Sequence, residues 1–598
     1  MAKEPDSLVI GATGLIGRWL AAELLTQGRA VAVTVRGGPD RAEELRAWLR
    51  DHGHTDERAL TVVAADITRP GLGLAPEDER RPASVRDVHN AAAVFRFGLG
   101  PDEARRANVD GALNVLRWAG TRPRLRRLVH VSGYRTASET FPYPASPERR
   151  AALYRRWGAY EASKREADAA VRAVAAAEGV PLTVVNPASV IGHSETGEAG
   201  QYIGLADLIG RLWTGRLPAL AGTRRTFVPV VTVDHLARFM AAVPEHDGGP
   251  FRAHWVLDGS TPDLPDLVAL LARHLGVRAP RALLPAGLVR RLPRALSGID
   301  PEALAFLAED RYDTASADAL ADAAGLARPP VQEALRRWAD RLVAERFGAA
   351  RPPLSGGFHP VAGSRTYLAG DRAAPEYVLL HGLPLDSECW QGVLPELDGP
   401  ALMADLPGLG RSSRSDGNPA GWLAELLAPL RTRPVLVAHS AAAAPALRYA
   451  HAHPDRVAGL VLVSPYFLQR RPGRHLRTPA VVAPVLRTAP ARRLGAALGL
   501  GGVDVPALDD AVAQLRRPGV ARRTARRLGR AQRASERAEL RALAAACDVP
   551  VHLVAGEHDP LIADIPAVTV TVIPGAGHHP QLTHPAAVAA AAAVTARG

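Results

Sequence analysis

The segment LVIGATGLIGRWLAAELLTQG, beginning at Leu8, constrains the fold more than any other part of the chain. An apolar run meets a glycine-rich turn and passes directly into helix-forming sequence. Gly11, Gly14 and Gly17 stand in GxxGxxG order at that junction. Glycine there permits a tight turn and lets the backbone approach a pyrophosphate, while the helix N-terminus offers free N–H groups and a favourable dipole. The alternation continues to about residue 260. Val31–Val35, Leu60–Ala64, Leu128–Val131 and Leu182–Val185 read as short buried strands, and Glu43–Leu49 and Asp102–Trp118 as helices. This pattern predicts an α/β fold, a doubly wound parallel sheet with helices on both faces.

A chain of 598 residues is too long for one hydrophobic core. Residues 262–347 read mostly as helix broken by Pro and Gly, a small substrate cap on a first domain spanning 1–347. Proline, glycine and serine then crowd together, which predicts a linker at 348–362. A second alternation fills 363–598, with strands expected at Tyr377–Leu380, Arg433–Ala438, Val457–Val463, Val549–Ala555 and Ala567–Ile573. An Arg-rich helical insertion at about 467–545 interrupts it and is expected to form a lid.

The apolar share of 47% and charged share of 22% are those of a globular chain and exclude disorder. Net charge is +12, mostly arginine, without the aromatic interleaving or motifs of a nucleic-acid binder. Two cysteines, Cys389 and Cys547, can build neither a disulfide framework nor a metal cluster, so no metal is expected. There is no apolar signal core near the start and no apolar run of membrane-spanning length, so a cytoplasmic protein is expected.

The second strand ends at Arg36. An acidic residue there would bond a free ribose 2′-hydroxyl, whereas arginine suits a 2′-phosphate, so NADPH is expected rather than NADH. Further along come ADI (Ala65–Ile67), HNAAAVF from His89, NVDGALNVL (Asn108–Leu116), VHVSG, YEASK, NPASVIG and FVPVVTVDHLARF. This ordered series, over about residues 6–345, resembles the extended short-chain dehydrogenase/reductase family. DITRPGLGL and HNAAAVF resemble its thioester-reductase and fatty-acyl-reductase branch, which reduces carrier- or CoA-bound acyl groups.

The resemblance implies cofactor contacts from Gly11, Thr13, Gly14, Leu15, Ile16, Gly17, Arg36, Asp66, Ile67, Asn90, Ala91, Ala92, Tyr160, Lys164 and Pro187. Tyr160 would be the general acid for carbonyl reduction. A free tyrosine titrates near 10, so it needs help. Lys164, one helical turn away, would lower its pKa, and Ser132 would hydrogen-bond the substrate oxygen. The sequence departs from the family at Gly133 and Tyr134, where Ser or Thr often stands, and in reading Asn-Pro before Ala188 where Arg-Pro is commoner.

In the second half, YVLLHGLPLDSECW brings His381–Gly382 after a strand, ADLPGLGRSS follows, and Ser440 falls between a strand and a helix. Asp559 follows a later strand and His578 the last, with His579 as the alternative base. These motifs, over about residues 363–598, resemble the α/β-hydrolase family. The resemblance implies a Ser440–His578–Asp559 triad with the N–H groups of Leu383 and Ala441 as oxyanion donors. The elbow reads Ala438-His439-Ser440-Ala441-Ala442 in place of G-x-S-x-G.

Arg523, Arg527 and Arg530 share a helical face in the lid, either as a dock for an acidic carrier protein or phosphopantetheine arm, or as a solvated face. The sequence thus predicts a bifunctional enzyme, an NADPH-dependent reductase of a carbonyl or acyl thioester fused to a serine-dependent ester or thioester hydrolase. An acyl carrier protein or CoA is the expected partner. Two alternatives are a single-activity reductase whose hydrolase-like half only binds substrate or carrier, and a scaffold that senses NADPH without reducing anything.

Overall fold

The computed structural model describes residues 3–597 except 95–98, 137–140, 292–303, 305–306, 350–353, 416, 472–477, 501–505, 563–564 and 566–567. Parts of the expected cap, linker and lid, Phe95 of HNAAAVF and Ala567 of the last expected strand lie outside the described residues. The chain divides into two compact units. One comprises Met1–Ile209, Pro218–His274 and Ala279–Arg341, and the other Gly210–Leu217, Leu275–Arg278 and Leu342–Gly598.

The first unit is built on seven strands, Ser7–Ile10 (β1), Val31–Val35 (β2), Leu60–Ala64 (β3), Asp87–Asn90 (β4), Arg127–Val131 (β5), Leu182–Pro187 (β6) and Phe251–Val256 (β7). All pairings are parallel, in the order β7-β6-β5-β4-β1-β2-β3. The order reverses between β1 and β4, and that switch point opens a crevice at the strands' C-terminal ends. Val31–Val35 is buried at every position, because helices cover both faces and no alternation with polar residues is needed. The helix expected over Asp102–Trp118 is Pro101–Arg105, a π-helical turn Arg106–Asp110, and Gly111–Gly120. Among the described residues of 262–347 the helices are Leu264–Leu275, Ala286–Arg291, Ala315–Ala323 and Val331–Ala344.

The second unit carries Gly356–Val361 (β8), Ser364–Gly370 (β9), Tyr377–Leu380 (β10), Ala401–Ala404 (β11), Val435–His439 (β12), Gly459–Val463 (β13), Val551–Gly556 (β14) and Thr569–Ile573 (β15). The sheet order is β8-β9-β11-β10-β12-β13-β14-β15, with β9 antiparallel to both its neighbours and the rest parallel. Here β8 corrects the expectation of a linker to residue 362. Residues 356–361 pair with β9 through a turn in which Ala362 (φ 47°) and Gly363 (φ 72°) are both left-handed. Two such residues make the primed turn whose twist matches a β-hairpin. The insertion forms helices Pro479–Thr488, Ala491–Ala497, Pro506–Arg516, Val520–Ala531 and Ala534–Ala545. The alanine-rich end is the helix Pro585–Arg597, which buries Val588, Ala589, Ala591 and Ala592.

Candidate functional sites

The glycine turn lies between β1 and the helix Leu15–Thr26, whose N-cap is Gly14. Gly11 has φ 86°, and a Cβ there would stand 2.8 Å from the N and Cα of Ala92. A Cβ on Gly17 would meet the Gly11 carbonyl well inside contact distance. Backbone packs on backbone at both positions, so only glycine fits. Thr13 and Gly14 are exposed at the tip, and Leu15 and Ile16 are half-buried behind it. Asn90 ends β4, where its Oδ1 accepts from the Ala92 N–H at 3.1 Å. Its Nδ2 lies 3.1 Å from His130 Nδ1, which accepts, since burial pushes that imidazole down to about 3.

Arg36 is exposed just beyond β2. Burial would raise the Asp66 carboxyl, but hydrogen bonds from Thr68 and the charges of Arg36 and Arg69 hold it below its ordinary value. Ile67 packs where a Cβ on Gly111 would fall. Asn186, fully buried beside Pro187 at the end of β6, has neither amide atom hydrogen-bonded among the described residues. A bare glycine cradle, an exposed cation past β2 and an unsatisfied buried amide fit a nicotinamide dinucleotide.

Tyr160 and Lys164 share the helix Ala159–Glu178 at i, i+4. The buried Lys164 ammonium donates to the Val131 carbonyl at 3.1 Å, and burial lowers its pKa to about 8 against the pull of Asp168 and Glu161. Burial, Glu161 and Tyr134 push the Tyr160 phenol above its ordinary value. Ser132 Oγ lies 3.0 Å from Thr136 Oγ1, whose own proton goes to the Gly133 carbonyl at 2.7 Å. Ser132 is thus the donor within this pair.

In the second unit, Ser440 follows β12 at φ 50°, left-handed despite its side chain. The elbow forms with fully buried Ala438 and Ala442 in the positions usual for glycine. His578 Nδ1–H donates to Asp559 Oδ2 at 2.6 Å, which leaves Nε2 to accept from Ser440 Oγ at 3.0 Å. His579 is buried and neither ring nitrogen is hydrogen-bonded among the described residues, so it is not the partner of Ser440. His439 Nε2 meets the His578 carbonyl at 2.9 Å. His381 accepts from the Leu406 N–H at Nε2 (2.9 Å) and donates from Nδ1 to the Gly382 carbonyl (2.9 Å), tying the loop of Leu383 to the loop after β11.

Several residues of these sites take no role in the sequence reading, although Asn108 and Asp405 stand within its motifs. Thr136 beside Ser132 is one. Asn108, in the π-helical turn, donates to Ser163 Oγ at 2.9 Å and accepts from the Val94 N–H at 2.9 Å, bracing the helix next to Lys164. Gln469 donates from Nε2 to the same Asp559 oxygen that holds His578. Asp405 accepts from Ser387 N–H and Oγ (2.8 and 2.6 Å) and from Arg411 N–H and Nε (2.7 and 3.1 Å). Burial would raise that carboxyl, but Arg411, His381 and Ser387 hold it well below the carboxylate range. In the lid, Arg523 and Arg527 form no solvated face. Their Nη2 atoms donate to the carbonyls of Gly408 (3.3 Å) and Pro407 (2.7 Å). Among the described residues no helix is long and apolar enough to cross a membrane.

The fold and the two residue sets define a dinucleotide-binding α/β half and a second α/β half bearing a Ser–His–Asp relay. A family model described as "Male sterility protein" matches residues 9–240, and one described as "Alpha/beta hydrolase family" matches residues 377–591. The 2-succinyl-6-hydroxy-2,4-cyclohexadiene-1-carboxylate synthase of Enterobacter sp. (strain 638) is 32% identical over 241 residues, 37% of this chain and 92% of that protein. The NRPS-like oxidoreductase fscA of Fusarium equiseti is 30% identical over 206 residues, 32% of this chain and 19% of that protein. The chain thus spans only about a fifth of that relative's length. The terminal R domain from the myxalamid PKS-NRPS biosynthetic pathway overlays with a TM-score of 0.45 at 21% identity, over 59% of this chain and 93% of that one. The chain belongs to the α/β-hydrolase family in its C-terminal half, and its N-terminal half is an NAD-binding domain of the male-sterility, thioester-reductase-like type.

Proposed function

We propose that the chain is a bifunctional cytoplasmic enzyme whose N-terminal half reduces a carbonyl or acyl thioester with NADPH and whose C-terminal half hydrolyses an ester or thioester. The observation that carries the second activity is the Asp559–His578–Ser440 relay, at 2.6 and 3.0 Å, on a left-handed serine. The reductase reading is supported by the glycine cradle, the buried Lys164 one turn from Tyr160, and likeness to proteins named an NRPS-like oxidoreductase and an aldehyde reductase. The first name favours a carrier-bound acyl group as substrate and the second an aldehyde.

Bound nicotinamide would supply the hydride. Tyr160 would pass its phenolic proton to the carbonyl oxygen as charge develops there. Lys164 would hold positive charge beneath it, and Ser132, released from Thr136, would donate to the same oxygen. Arg36 would meet a 2′-phosphate. In the other half, His578 Nε2 would take the Ser440 proton as Oγ attacks the acyl carbon, then return it to the leaving group. Asp559 would keep Nδ1–H in place, and the N–H groups of Leu383 and Ala441 would hold the oxyanion.

The test is NADPH oxidation against acyl-CoA thioesters, aldehydes and ketones, and release of thiol or alcohol from thioesters and esters. Tyr160→Phe should end oxidation and spare hydrolysis, and Ser440→Ala the reverse. The alanine elbow favours a second reading, a hydrolase fold that only binds. Failure of Ser440 to react with a fluorophosphonate in the folded protein would establish it. Oxidation unaffected by Tyr160→Phe would overturn the reductase assignment.

A further inference from the structure

Three arginines of the second unit crowd together, with no counter-ion among the described residues. A Cβ on Gly519 would stand 3.0 Å from Arg523 Nη1 and 3.4 Å from Arg414 Nη2, so both guanidinium groups converge on that point. Arg527 lies one helical turn beyond Arg523, on the helix Val520–Ala531. Among the described residues none of the three has a carboxylate within ion-pair distance, and Nε and Nη1 of Arg523 are buried with no acceptor. Asp405, the buried carboxylate of this loop, has both oxygens engaged by Ser387 and Arg411. Burial, Arg414 and Arg527 all hold the Arg523 guanidinium below its ordinary value. Half-burying like charges beside donors that lack acceptors is costly unless an anion joins them.

The position is as informative as the charge. Arg523 and Arg527 are anchored on the carbonyls of Gly408 and Pro407, in the loop after β11. Strand β11 pairs with β10, whose following loop carries Leu383, and β10 pairs with β12, which leads into Ser440. The cluster therefore stands at the same C-terminal sheet edge as the Ser440 relay. Three guanidinium groups brought together from a helix and a separate loop suit a tetrahedral phosphate, which accepts from several directions at once.

We propose that Arg414, Arg523 and Arg527 form an anion subsite of the hydrolase-fold half that takes the phosphate of a phosphopantetheine-type acyl carrier, whether CoA or a protein-bound arm. The proposal rests on the reading of Ser440 as acting on acyl thioesters, and it deepens that reading by naming the part of the substrate held away from the reacting carbon.

Calorimetry on the full chain, with NADP+ present to fill the nucleotide loop, tests it with pantetheine, 4′-phosphopantetheine and CoA as probes. Phosphopantetheine should bind about ten- to a hundred-fold more tightly than pantetheine, as charge-assisted bonds warrant. CoA binding as well as phosphopantetheine would assign the pantetheine phosphate, and CoA binding more tightly would add its nucleotide phosphates. Arg523→Gln with Arg527→Gln should bring phosphopantetheine down to the pantetheine level. Those two side chains also brace the loop, so Arg414→Gln, whose side chain is exposed, provides the variant that cannot fail through misfolding. Equal binding of pantetheine and phosphopantetheine by the wild type, or an undiminished phosphate preference in Arg414→Gln, would overturn the proposal. An inert Ser440 would leave these binding results intact, so the two readings fail separately.

Discussion

Replacing Gly382 by alanine should disable the hydrolase-fold half while leaving every relay residue in the sequence. A Cβ at Gly382 would stand 2.9 Å from His439 Cε1 and 3.0 Å from Ser440 Cβ, and closer still to His439 Nδ1. Carbon atoms at rest lie about 3.5–4.0 Å apart, so something must move by roughly 1 Å. His439 cannot supply that movement. Its ring is fully buried, bonded through Nε2 to the His578 carbonyl at 2.9 Å, and flanked by the ring of His579 with centroids 4.8 Å apart. The displacement therefore falls on the elbow. Overpacking of this kind costs about 1–3 kcal/mol of stability. Misplacing a nucleophile by about 1 Å costs about 100-fold in rate. Gly382→Ala should therefore fold, lose about 100-fold in kcat/KM for ester or thioester hydrolysis, and keep NADPH oxidation at the wild-type level. Hydrolysis kinetics and urea unfolding followed in the second unit read this out. Wild-type hydrolysis with an unshifted midpoint would refute the packing argument.

Asp559→Asn preserves shape at the relay but lets His578 settle in the wrong tautomer, and hydrolysis should fall about 10⁴-fold in kcat with KM little changed. Arg36→Ala should weaken NADPH about ten- to a hundred-fold in a fluorescence titration while NADH binding stays put; equal losses for both cofactors would remove Arg36 from the 2′-phosphate. Lys164 gives a pH dependence with a definite sign. Its ammonium is lowered by burial from 10.5 to about 8, so between those values the unfolded chain holds more protons than the folded one. Stability of the cofactor-free protein then rises with pH across that window, by about 3 kcal/mol in all. Lys164→Met should flatten the rise, and unfolding midpoints that climb equally in both proteins would count against it.

The alternation of the two halves was legible because strands buried on both faces read as unbroken apolar runs. Val31–Val35 and Tyr377–Leu380, buried at every position, form strands at the residues the sequence marks, as does the partly exposed edge strand Leu60–Ala64. Strand β8 was not legible. Its sequence, GGFHPV, has the Gly and Pro of a linker, and the signal that makes it a strand is the left-handed Ala362–Gly363 turn, which becomes visible only when paired with β9. The choice between a docking and a solvated arginine face in the lid was not legible for a related reason. Helical spacing puts Arg523 and Arg527 on one side of the helix, yet nothing in that spacing says whether water or the carbonyls of Pro407 and Gly408 lie opposite.

The same distinction explains why the relay residues were found and their supports were not. In a parallel sheet every strand ends at one edge, so loops far apart in sequence meet there. Asn90, Ser132 and Pro187 end or follow β4, β5 and β6, and Ser440, Asp559 and His578 follow β12, β14 and β15. A residue placed just after a strand is carried to that edge by topology alone, and its chain position suffices to propose it. Gln469 and Thr136 reach their partners across loops instead, through contacts that depend on how each loop folds back. Such contacts set the orientation of the groups that topology delivers. Gln469 shows the consequence, since its amide shares the Asp559 oxygen with His578 while its own carbonyl accepts from Arg537 in the lid. The acid of the relay is thereby tied to the lid, so a change in lid packing reaches His578 without touching it.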